Sequence, residues 1–105
     1  MGSTDKRYNV IVSDKAAQML VSHSRFLAQV SASASLRLVD EFAEKAKSLE
    51  VFPERNPWLA DSMIPEGKYR RLLIAKQYLL IYQIKGDMVY VDAVVDTRQD
   101  YSWLL

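Results

Sequence analysis

The chain has 105 residues, half of them hydrophobic, and no cysteine. That is enough for one buried core, and it excludes disulfide frameworks, thiolate metal sites and cysteine nucleophiles. Fourteen Lys and Arg against thirteen Asp and Glu leave a formal charge of +1, so any anion site must be local and not a general basic surface.

The first six residues, polar and small around Gly2-Ser3-Thr4, read as a lead-in, and residues 7–105 read as a single domain. Arg7 to Val12 alternates and is rich in Val, Ile and Tyr, which predicts a first strand. Ser13-Asp14 offers an N-cap, and Lys15 to Ser31 runs without Gly or Pro, with Ala17, Leu20, Val21, Leu27 and Val30 near one helical face. The serine-rich link around Ser31 to Ser35 caps a second helix, whose expected inner face is Leu36, Val39, Ala43, Ala46 and Leu49. Glu41 and Glu44 stand near Lys45 and Lys47, the pattern of a solvated face with local ion pairs.

Pro53 and Pro57 stop the helix, and the stretch to Gly67 reads as an irregular connection that Trp58 pins to the core. Three β-rich runs follow, Lys68 to Ala75, Gln77 to Lys85 and Met88 to Asp96, with hairpin-length breaks at Lys76-Gln77 and Gly86-Asp87. The order β-α-α-β-β-β predicts an α+β fold with a helical hairpin packed on one face of a small, mainly antiparallel sheet. The longest apolar runs fall far short of the roughly 20 residues that cross a bilayer. With no basic-then-apolar leader, the expectation is a cytoplasmic protein without a membrane partner.

Several residues have ordinary structural roles available. His23 is the sole histidine and sits mid-helix with no second ligand nearby, so it reads as a helix-face residue and no metal is expected. Tyr69, Tyr78, Tyr82 and Tyr90 suit core or rim packing, and Arg70 or Arg98 could pair with Asp92, Asp96 or Asp100. Arg70 and Arg71, adjacent on a strand, must point to opposite faces.

Tyr69-Arg70-Arg71-Leu72-Leu73, the Tyr78-x3-Tyr82 strand and Val95-Asp96-Thr97-Arg98, set in this element order, resemble the RelE/ParE toxin family from about Tyr8 onward. The resemblance implies the toxin of a type II toxin–antitoxin pair, held by a cognate antitoxin in a groove beside the helical hairpin. In the RelE branch the toxin cleaves mRNA on the ribosome without metal or other cofactor. That chemistry needs cations for the charged phosphorane and groups that move protons. The resemblance places Arg70, Arg98 and Tyr101 in catalytic roles and Lys68, Arg71 and Tyr82 in RNA binding, on a surface the helices leave uncovered. Leu72 and Leu79 stand where active nucleases commonly carry basic residues. The alternatives are therefore the ParE branch, which acts on DNA gyrase without those residues, and a non-catalytic binding module of the same fold.

Overall fold

The computed structural model describes residues 6–60 and 64–98. Its elements are β1 (Asn9–Val12), α1 (Asp14–Ala28), α2 (Ala32–Ser48), β2 (Arg70–Ile74), β3 (Tyr78–Lys85) and β4 (Met88–Asp96). The sheet order is β1-β4-β3-β2, with β1 parallel to β4 and the other two pairings antiparallel. The α+β class and the order β-α-α-β-β-β are as the sequence predicts. Because β1 pairs with the last strand, the meander is tied back to the start of the chain.

Ser13 and Ser31 cap the two helices, each hydroxyl accepting from the backbone N–H three residues on. The inner faces match the predicted ones in part, at Leu20, Leu27, Ala46 and Leu49, and differ at the other positions. In α2, Leu38, Phe42, Ala46 and the capping Leu49 are buried, while Leu36, Val39 and Ala43 are exposed. In α1, Ala16 is buried and Met19, Leu20 and Leu27 pack on the core, while Ala17, Val21 and Val30 face out. Both helices carry more apolar residues than one face can hold, so periodicity admits two phases about 100° apart, and the sheet selects one. Glu41 is no solvated ion-pair residue: its Oε1 accepts from the Ala75 N–H at 2.8 Å, in the turn after β2.

A bulge decides which β4 residues meet the helices. Ile81 pairs with Ala93 and Tyr82 with Val91, leaving Asp92 as the extra residue. The alternation therefore changes phase, and Val89, Val91 and Val94 all belong to the helix-side core with Tyr78, Leu80 and Tyr82. Leu79, Ile81, Ala93 and Val95 face the other way, where Leu59, Ile64 and Tyr69 cover them. The second face of the sheet is thus partly roofed by the connection, which the sequence reading left bare. In that connection Leu59 is the buried anchor, and Trp58, expected to be the pin, is half exposed.

Candidate functional site

Two groups of polar side chains flank the helix-side core, one at each end of β3. The first forms where α2 ends. Pro53 opens a short 3-10 turn, Pro53–Arg55, that swings the chain beneath the start of β2. The Tyr82 hydroxyl donates to the Pro53 carbonyl at 2.6 Å and accepts from Asn56 Nδ2 at 3.0 Å. Arg70 Nη1 donates to the carbonyls of Glu54 (3.0 Å) and Asn56 (2.7 Å), and its guanidinium lies 3.7 Å from the centre of the Trp58 ring. Both side chains therefore fasten the loop. Burial raises the Tyr82 phenol above its usual range, against the pull of the Asn56 hydrogen bond and the Arg70 charge. Nearby, the Tyr8 hydroxyl donates to Glu54 Oε2 at 2.6 Å, which holds Glu54 below the usual carboxylate range.

The second group lies past the end of β4. Arg98 grips Asp96 with Nε at 2.9 Å and Nη2 at 2.7 Å, and its backbone N–H adds a third bond at 2.9 Å. This bidentate pair lowers the Asp96 carboxyl and raises the Arg98 guanidinium. The pair borders a cleft of about 640 Å³ whose walls include Met19, His23, Phe26 and Tyr78. His23 Nε2 lies 2.9 Å from the Val94 carbonyl, so that nitrogen carries the proton, and its ring centre is 5.0 Å from that of Tyr78. A histidine read as an ordinary helix-face residue thus caps the free edge of β4 beyond β1. An anion entering the cleft would meet a guanidinium already neutralised by Asp96.

Arg70 and Arg98 are not brought together. Arg70 is in register with Tyr82 and Asp96 with Tyr78, four residues apart on β3, which separates the rows by about 13 Å. Arg70 also shares the helix-facing row with Tyr82, so it does not point to the face the helices leave free. Arg71 does, exposed and in register with Ile81. The Lys68 ammonium lies 5.2 Å from the centre of the Tyr69 ring. Tyr101 lies outside the described residues. The strand-end ion pair that was the alternative role for Arg98 is formed, with Asp96 as partner. The stacking of Arg70 on Trp58 and the part played by Asn56 were not foreseen. The Asn56-Pro57-Trp58 sequence was their only trace, because the partner strand lies more than ten residues away.

A family model described as the ParE toxin of type II toxin–antitoxin system, parDE, matches residues 10–101. The chain belongs to the ParE toxin family. The family match agrees with the strand, helical hairpin and meander described above, and it makes the chain the toxin of a type II pair, with a cognate antitoxin as partner. Among solved structures, a chain of a chromosomal ParDE TA system from P. aeruginosa superposes with a TM-score of 0.68 at 15% identity, covering 87% of this chain and 97% of that chain. At that identity the likeness shows the shared fold. No curated relative matches the sequence. No helix among the described residues is long and apolar enough to cross a membrane.

Proposed function

We propose that this ParE-family toxin arrests growth by inhibiting DNA gyrase through protein contacts and does not cleave mRNA. The observation that carries the reading is the separation of Arg70 from Arg98, one spent on carbonyls and an indole, the other on Asp96. A metal-free attack by the 2′-hydroxyl needs several cations converging on one phosphate, and each missing donor of this kind costs roughly 10²–10³ in rate. Leu79 supports the same reading. It is buried under Leu59 and Tyr69 in the second core cluster, so the position where a nuclease would carry a cation is filled by packing. Leu72 likewise packs against the helix-side core.

The deciding experiment adds purified toxin to gyrase and relaxed plasmid, and in parallel maps transcript ends during growth arrest. The expected result is loss of supercoiling with translated messages intact. Unimpaired supercoiling at saturating toxin, together with new cleavages inside translated messages, would overturn the reading. Arg98→Ala provides an independent check: growth arrest on expression should persist in the variant, since a nuclease that relied on this cation would lose roughly 10²-fold or more in rate.

A further inference from the structure

Phe52, the residue before the 3-10 turn, has φ 49 and ψ 57, the left-handed region that a bulky aromatic rarely adopts, and it is 61% exposed. The conformation is enforced. Arg55 Nη1 donates to the Val51 and Phe52 carbonyls, and Nη2 reaches the Ser48 carbonyl at the end of α2. A ring held at the surface in a strained backbone carries a double cost, and among the described residues Phe52 belongs to neither core cluster. Val51 and Trp58 on the same connection are also exposed, at 44% and 49%.

The charges around this apolar strip are unbalanced. Arg55 and Arg70 direct their hydrogen bonds to neutral main-chain carbonyls, and among the described residues neither forms an ion pair. Of the nearby carboxylates, Glu50 pairs with Arg7 at 3.7 Å, and Glu54, bonded to the neutral Tyr8 hydroxyl, keeps its charge and offsets only one of the remaining cations. Lys6, 4.8 Å from the Tyr8 ring centre, adds another positive charge.

We propose that Val51, Phe52 and Trp58, with the guanidinium groups of Arg55 and Arg70, form a docking surface for an extended acidic segment of the antitoxin that carries apolar anchors. The positive rim selects acidic residues, and the exposed rings supply the desolvated contacts that carry most of such an affinity. A partner bound for the toxin's stored lifetime, and not a transient target, accounts for keeping this much apolar area uncovered in the free chain. Nucleic acid fits less well, because the chain as a whole has a formal charge of only +1. The surface is also distinct from the exposed Val30 and Leu36 at the tip of the helical hairpin. The 17 residues of α2 separate the two by about 25 Å.

The inference rests on family membership and not on the gyrase reading, and its test keeps the two apart. A random peptide library is selected on the immobilised full chain. The selected peptides are then titrated against the parent and against Phe52→Asn, which removes the ring while keeping a residue that tolerates the left-handed backbone. Enrichment of Asp and Glu interspersed with Leu, Phe or Trp, weakening with ionic strength, and a loss of about tenfold or more in Phe52→Asn are expected. The variant should still arrest growth when expressed without antitoxin. Enrichment of basic or uncharged peptides, no enrichment at all, unchanged affinity in the variant, or displacement of the peptides by a single-stranded oligothymidylate would overturn the proposal. So would loss of growth arrest in Phe52→Asn with its melting temperature preserved, which would assign the surface to the target. Arrest without any effect on supercoiling would sink the gyrase reading alone.

Discussion

Tyr82 shows how one side chain joins the core to the loop beneath it. Its ring is fully buried among Leu80, Val91 and the helices, and its hydroxyl satisfies the Pro53 carbonyl while accepting from Asn56. Tyr82→Phe keeps the packing and leaves that carbonyl without its donor, so unfolding in urea should show a loss of about 1–2 kcal/mol. Asp96 carries a different signature. Its carboxyl titrates below its unfolded value because Arg98 grips it, so its contribution is complete above about pH 4 and is lost as pH falls through the depressed folded value. Glu54, lowered by the Tyr8 hydroxyl, acts in the same direction. Stability should therefore decline in acid. Asp96→Asn should flatten that decline when melting temperature is followed from pH 6 to about pH 3, whereas an unchanged slope would remove the pair from the account.

At the scale of elements, the helices record a choice between two apolar stripes. Leu38 is fully buried and Leu36, two residues earlier, is 65% exposed. Leu38→Ala should cost about 2–5 kcal/mol by cavity formation, while Leu36→Ala should stay within about 0.5 kcal/mol of the parent. Denaturant midpoints of the two variants measure the helix phase directly. The sheet makes a similar choice through its bulge. Without Asp92 as the extra residue, Val94 would turn to the far face, and the charged Asp96 would leave the helix side where Arg98 meets it. The outer stripe left on the hairpin is Val21, Val30, Leu36 and Val39, all exposed.

Across the whole molecule, β3 and β4 form the shared wall of both core clusters, and β1 and β2 are the edges. Both edges are managed. The strand β2 is bordered at its start by Pro57–Leu59, through the Arg71 N–H to Pro57 carbonyl bond at 3.0 Å and the Leu59 N–H to Tyr69 carbonyl bond at 2.7 Å. Beyond the end of β1, the open half of β4 is closed by His23 on the Val94 carbonyl. Native-state hydrogen exchange should be slowest for β3 and the β4 residues Ala93 and Val95, buried on the roofed face. Faster exchange there than in α1 would show that the roof does not close the second face.

Class, element order and family were legible because they depend on local chemistry. Serines at the caps, prolines that end α2, alternating β-branched residues and short breaks between strands act within a few positions of themselves. Arg98 with Asp96 was legible for the same reason, since the partners are two residues apart. The helix phase, the Asp92 bulge, the roof of Leu59, Ile64 and Tyr69, and the engagement of Arg70 with Trp58 and Asn56 were not. Each is settled by a partner distant in sequence, through packing that selects among several locally acceptable arrangements. The sequence by itself determined which elements exist and in what order they come. Tertiary structure alone decided which faces they share, and so which cations stand together and which are held apart.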